Sequence, residues 1–188
     1  MAAKSNIVSM TLVLTVTCLV CSAILGVVYA VTYDPIAQTN ANILKASISA
    51  VLPEAEGAEL SEAQPLEVGG QDSEYYTLSK DGETVAYAVR STTTGFGGAL
   101  TLMVGLTPDG IVNNTSVLSH SETPGLGAKC TTDQHFMDQW KGFDTNSKIL
   151  SVKKDGGDVD AITASTITSR AYTLAVKNAA EAIKTLSK

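Results

Sequence analysis

The sequence predicts an α+β protein: a single N-terminal transmembrane helix followed by a domain built on a mainly antiparallel sheet. Three observations carry that expectation. An unbroken apolar run extends from Ile7 to Val31, two pairs of alternating apolar segments are each joined by a glycine turn, and a hydroxyl-rich stretch leads into a closing amphipathic helix. At 188 residues, 44% of them hydrophobic, the chain accommodates one sizeable domain plus an anchor.

The apolar run spans about 37 Å as a helix at 1.5 Å per residue, more than the roughly 30 Å of a hydrocarbon core. A cleaved signal peptide is the competing reading, and Val28-Tyr29-Ala30 offers small residues for a cleavage site. Signal h-regions, however, run to about 7–15 residues, and this run is longer, which favours a retained anchor. Lys4 is the only charged residue before Asp34, so the N-terminal side is expected to be cytoplasmic and the domain outside. Cys18 and Cys21 form a CxxC spacing inside the run, with no His or carboxylate near to complete a metal site. They read as two small apolar-like thiols. Cys130 is the only cysteine beyond the anchor, which excludes an internal disulfide there.

Residues 1–33 are thus the cytoplasmic N-terminus and membrane helix. Residues 34–73 are expected to hold a juxtamembrane helix and an acidic linker. Asp34-Pro35 fits a helix start, with Ile36, Ile43, Leu44, Ile48 and Val51 at near-helical spacing after it. From Pro53 to Ser73 the chain is acidic, rich in Pro and Gly, and without periodicity, as a solvated loop would be.

Residues 74–188 are expected to form the folded domain. Glu74 to Ser79 and Glu83 to Ser91 flank Asp81-Gly82, and Leu100 to Leu106 and Ile111 to Leu118 flank Pro108-Asp109-Gly110, which predicts two hairpins. Thr132 and Asp133 can cap a short helix bearing Phe136, Met137 and Trp140. A strand is expected from about Lys148 to Lys153, ending at Gly156-Gly157. A final helix from about Ser169 places Tyr172, Val176, Ala179, Ile183 and Leu186 on one face.

Composition narrows the chemistry. The chain has 13 Lys and Arg against 19 Asp and Glu, and a net charge of −6, which disfavours nucleic acid as a partner. No His, Cys and carboxylate set has metal-ligand spacing, and no Ser/His/Asp trio is suggested, so no metal site and no catalytic residues are expected.

The most unusual segment is Asp160-Ala161-Ile162-Thr163-Ala164-Ser165-Thr166-Ile167-Thr168-Ser169-Arg170, which concentrates hydroxyls just before the last helix. A hydroxyl there can take a phosphoester, whose negative charge the free N–H groups of a helix N-terminus stabilise, and Arg170 can add a charge-assisted bond. Ser and Thr also gather at such places as plain caps. Composition alone favours capping over modification, and it does not choose among Thr163, Ser165, Thr166, Thr168 and Ser169.

This segment resembles the flavinylation motif of the FMN-binding domain family: an Asp, two spacers, Ser or Thr, Gly or Ala, a small residue, the acceptor Thr and a further hydroxyl. Matched residue by residue, the acceptor is Thr166, and Ala164-Ser165 stands where many members carry Gly-Ala. A second segment, His120-Ser121-Glu122-Thr123-Pro124-Gly125-Leu126-Gly127, resembles the one that lies against the flavin in this family. Thr94-Gly95-Phe96-Gly97-Gly98 is similar to its glycine-containing stretch ahead of the central strands. The resemblance implies one covalent FMN per chain on Thr166, with Glu122, Thr123, Gly125, Leu126, Gly127, Thr163, Ser165 and Thr168 around it.

The whole plan resembles the G subunit of the Rnf ion-translocating ferredoxin:NAD oxidoreductase. That implies an electron-transfer subunit of a Na⁺- or H⁺-translocating complex in the bacterial inner membrane, single-pass, with its C-terminal domain on the periplasmic side. It would be a redox subunit and not a complete enzyme alone. Its partners would be the other membrane and iron–sulfur or flavin subunits, with a flavin transferase for maturation. The alternatives are the C subunit of a Na⁺-translocating NADH:quinone oxidoreductase, generally longer, and a noncatalytic membrane-tethered flavin-binding or sensory module. An exported scaffold domain without flavin is a third.

Overall fold

The computed structural model describes residues 7–186. Lys4, on which the orientation expectation rests, lies outside them. The chain falls into two compact units, divided between Ile43 and Leu44.

Helix α1 runs Ile7–Val51, 45 residues, and its part up to Ile43 makes up the first unit. It is long and apolar enough to cross a membrane. Three of its threonines bond within the helix: Thr11, Thr15 and Thr17 donate to carbonyls four residues back at 3.0, 2.9 and 2.8 Å. The helix does not restart at Asp34-Pro35, as the sequence suggests, but continues through Pro35. A proline removes one ladder bond, and no glycine or second breaker follows to end the helix.

The second unit is built on a seven-stranded antiparallel sheet. Strands β3 (Gln71–Lys80), β4 (Glu83–Thr94), β5 (Ala99–Leu106), β6 (Ile111–His120) and β7 (Phe143–Asp144) follow one another across it. The first hairpin turns where Asp81 and Gly82 have φ of 53° and 84°, the left-handed pair that a two-residue connection between twisted strands requires. The second turns at Gly110, φ 82°.

The segment expected to be linker contributes two short strands, β1 (Glu59–Leu60) and β2 (Gln64–Val68), which share the outer edge of β3. They are mostly solvent-facing, so no apolar alternation marks them; the ten-residue edge of β3 supplies their pairing instead. The strand expected at Lys148 to Lys153, by contrast, is absent from the sheet. A lone parallel bridge joins Val152 to Val159, followed by a tight 3₁₀ turn at Lys153–Asp155. The backbone there is satisfied locally: Ile149 N–H donates to the Asp158 carboxylate at 2.7 Å and Lys153 N–H to Val159 O at 2.8 Å.

Alternation along β4 and β5 divides the core between the two sheet faces. On one face Val89, Leu100, Leu102, Val104 and Leu106 meet helix α3 (Thr166–Leu186) through Tyr172, Val176, Ala179 and Ile183. Helix α2 (Gln134–Asp138), capped by Asp133, completes that core with an aromatic cluster of Phe136, Trp140, Phe143 and Tyr172.

On the other face the end of α1 packs Ile48 and Val51 against Tyr76, Ala88 and Met103. Strand β6 caps its free carbonyls. Asn113 Nδ2 donates to Val51 O at 2.7 Å and Asn114 Nδ2 to Ala50 O at 3.0 Å. Gly105 faces this helix end, and a Cβ there would strike the Val51 carbonyl. Gly105→Ala is therefore expected to cost about 1–3 kcal/mol through overpacking against backbone. Thermal unfolding measures it; an unchanged midpoint would mean that the helix end yields freely.

Candidate functional site

The two glycine- and hydroxyl-bearing segments converge although they are about forty residues apart in sequence. A cleft of about 350 Å³ is lined by Phe96, Glu122, Thr123, Leu126 and Gly127 from one side and Ala164, Ser165, Thr166, Ile167 and Thr168 from the other. Its size lies within the range of small-molecule sites, about 300–1,000 Å³.

Helix α3 begins at Thr166, three residues before the start expected from periodicity, so the hydroxyl stretch forms its first turn. Ser169 locks that turn, donating to Ser165 O at 2.9 Å while its oxygen accepts from Ile162 N–H at 2.9 Å. Among the described residues no hydrogen bond reaches the N–H groups of Thr166, Ile167 and Thr168. These free donors, at the positive end of a 21-residue helix, favour an anion.

The five hydroxyls are not equivalent. Thr168 Oγ1 donates to Glu122 Oε2 at 2.9 Å, and Ser169 is committed as above. Ser165 is buried, its oxygen without a partner among the described residues. Thr163 is exposed but does not line the cleft. Thr166 is half-buried, lines the cleft and has no side-chain hydrogen bond among the described residues.

Glu122 builds the floor. It is 6% exposed; Oε1 accepts Phe96 N–H at 2.8 Å, Oε2 accepts the Thr168 hydroxyl, and Glu122 N–H donates to His120 Nδ1 at 3.2 Å. The glycines around it follow from its position. A Cβ on Gly95 would meet Oε1, one on Gly127 would meet Oε2 and Thr168 Oγ1, and one on Gly97 would meet Ser121 O. Gly125, at φ 76°, serves the turn and lies outside the cleft lining, as does Thr163.

Cys130 lies behind this floor, fully buried. Burial first, and then the charge of Glu122, push its thiol up to about 11, so it is an inert core thiol.

Arg170 does not point a free guanidinium at the helix N-terminus. It forks onto Asp155, Nε and Nη2 each at 2.6 Å from a carboxylate oxygen, and holds that carboxyl below the usual range.

Phe96, Leu126 and Ile167, 70%, 45% and 50% exposed, give the cleft an apolar rim. Ala164 has φ 63°, a left-handed conformation unfavourable for any residue with a Cβ. Neither Ala164 nor Ile167 is evident as a site residue from sequence. The signal available for Ala164 is that a glycine often occupies its place in the resembled motif. Ala164→Gly is expected to raise stability by about 0.5–1 kcal/mol, because relief of backbone strain outweighs glycine's extra chain entropy. Denaturant unfolding measures it, and a lowered midpoint would contradict it.

Comparison with known proteins adds four findings. A family model described as FMN-binding domain matches residues 95–181, which contain every residue of the cleft. The chain is 35% identical over 187 residues to the G subunit of the proton-translocating ferredoxin:NAD(+) oxidoreductase complex of Clostridium ljungdahlii, covering 98% of this chain and 95% of the relative. It is 31% identical to the G subunit of the Na(+)-translocating ferredoxin:NAD(+) oxidoreductase complex of Acetobacterium woodii, over 94% of this chain and 91% of that one. Among solved structures it is similar to the C subunit of a Na(+)-translocating NADH-quinone reductase from Parabacteroides distasonis, at 22% identity and TM-score 0.47, covering 62% and 64% of the two chains.

Proposed function

Because this chain belongs to the G-subunit family of ion-translocating ferredoxin:NAD(+) oxidoreductase complexes, we propose that it is the subunit that carries electrons through one FMN esterified to Thr166. The observation that carries this reading is the convergence of the two resembled segments on one cleft, where Thr166 is the half-buried lining hydroxyl without a partner.

The residues present fit such a group. The free N–H groups of Thr166, Ile167 and Thr168 suit a phosphodiester, and the partnerless Ser165 oxygen beside them is a polar atom that a bound group would satisfy. The rim of Phe96, Leu126 and Ile167 suits the faces of a planar ring system. When bound, the flavin supplies reversible one- and two-electron transfer. The chain supplies the attachment oxygen, the helix-end donors that hold negative charge, and an apolar rim that limits water around the ring. Gly125 and Thr163 act at one remove, by shaping the turns on either side.

The attachment is a phosphoester to Thr166, made by a separate flavin transferase that breaks the pyrophosphate of FAD, passes the FMN half to the threonine oxygen and releases AMP, so that the chain gains one FMN less one water. The domain lies on the periplasmic side of the inner membrane, where a covalent bond keeps the cofactor from dilution. The chain works with the complex's other membrane, iron–sulfur and flavin subunits, and its coupling ion is Na⁺ or H⁺. A chain of this kind holds a carrier and is not a complete enzyme alone.

Intact-mass analysis with peptide mapping of the protein from its native membrane tests the reading. One FMN less one water on the peptide that contains Thr166 is expected. An unmodified native chain would turn the assignment towards a tethered binding or sensory module.

A further inference from the structure

Glu122 is a buried acidic side chain that has no cation beside it among the described residues. It is 6% exposed, and among the described residues none of the ion pairs within 4.0 Å includes it. Buried charges are ordinarily paired, because desolvation is not otherwise offset. Its hydrogen bonding is that of a carboxylate: both oxygens accept, one from the Phe96 N–H and one from the Thr168 hydroxyl. Gly95 and Gly127 leave room for it by having no side chain, so the fold keeps space on two sides for this one group. A glutamine of the same shape could bridge the same segments without the charge. The charge itself is therefore the unexplained part.

From this arrangement we propose that the Glu122 carboxylate holds down the reduction potential of the cofactor in the cleft, making the bound flavin a stronger reductant than the same site would with a neutral side chain. The proposal rests on the reading of the cleft as the FMN site. Both oxygens already have protein donors, so Glu122 acts through its field and not as a ligand. A flavin that accepts electrons gains negative charge, and a fixed negative charge lining the same cleft opposes that gain. Low local dielectric, with no neutralising cation among the described residues, makes the opposition stronger than it would be at an exposed site. Glu122 is thus a positioning and tuning residue: it ties the Gly95–Gly98 loop to the first turn of α3, and it biases the electron affinity of what sits between them.

The test uses the full-length protein purified from membranes, as Glu122→Gln, Glu122→Asp and Thr168→Val beside the wild type. Flavin content is read by mass and absorbance, and the midpoint potential by spectroelectrochemical titration. The Gln variant is expected to carry flavin at the wild-type level with a potential shifted to more positive values. The Asp variant, which keeps the charge, should stay near wild type, and the Val variant, which loses only one hydrogen bond, should shift less than Gln. Three results would overturn the proposal: a Gln variant at the wild-type potential, a Val variant that shifts as far as Gln, or loss of flavin in the Gln variant alone, which would make the Glu122 charge a requirement for loading flavin onto Thr166. A wild-type chain without flavin on Thr166 is a separate outcome, and it sinks the assignment of the cofactor instead.

Discussion

Thr166→Ala is expected to yield a folded, membrane-inserted protein with no covalent flavin at all. The loss should be complete because an ester needs the oxygen, and the other hydroxyls of the segment are poorly placed to substitute. Thr168 and Ser169 are held in hydrogen bonds, Ser165 is buried, and Thr163 lies outside the cleft lining. The fold should survive because Thr166 is half-buried at the first position of α3, where alanine is a good helix former, and no side-chain hydrogen bond is lost. Thr166→Ser, which keeps the oxygen, should still be modified. In-gel fluorescence after denaturation, with intact mass, reads all three forms. Flavin retained on the alanine variant would move the attachment to another hydroxyl, and an unfolded variant would give Thr166 a structural role that its contacts do not suggest.

The second large effect concerns the aromatic cluster in the core between the sheet and α3. Trp140 is fully buried, stacked on Tyr172 at 5.5 Å between ring centroids and flanked by Phe136 and Phe143 at 6.1 and 5.5 Å. Trp140→Ala removes the largest side chain of that cluster and should cost about 3–5 kcal/mol, a fall in melting temperature of about 10 °C. The indole Nε1 is buried without a hydrogen-bond partner among the described residues. Trp140→Phe therefore loses area but also removes an unsatisfied donor, and it should cost clearly less than the alanine change. Calorimetry on both variants distinguishes packing from polarity: equal losses would mean that the ring nitrogen is satisfied in solution, by water for example.

Much of this arrangement is legible in the amino-acid sequence. The hairpins follow from Asp81-Gly82 and Pro108-Asp109-Gly110, where turn chemistry and alternation agree, and seven of the nine residues named for the cofactor line one cleft. What escapes the sequence is set by distant partners. Strands β1 and β2 have no pattern of their own, because the edge of β3 organises them. Val152 has the residue type of a strand yet finds only Val159, since the loop satisfies its own backbone. Arg170 reads as a phosphate ligand from its position, but Asp155, fifteen residues earlier, already has its guanidinium. The role of Glu122 as a floor, and hence the need for glycine at 95 and 127, depends on a meeting of three segments that no local spacing encodes.

The docking of residues 44–51 on the sheet bears on how a soluble version of the domain should be cut. Trimming at the apparent linker, after Leu52, would strip Ile48 and Val51 from Tyr76, Ala88 and Met103, and would leave the Asn113 and Asn114 amides without the carbonyls they bind. Such a fragment would present a bare apolar sheet face to water and tend to aggregate. One that starts upstream of Leu44 keeps that face covered, so the useful cleavage point lies within the long helix and not after it.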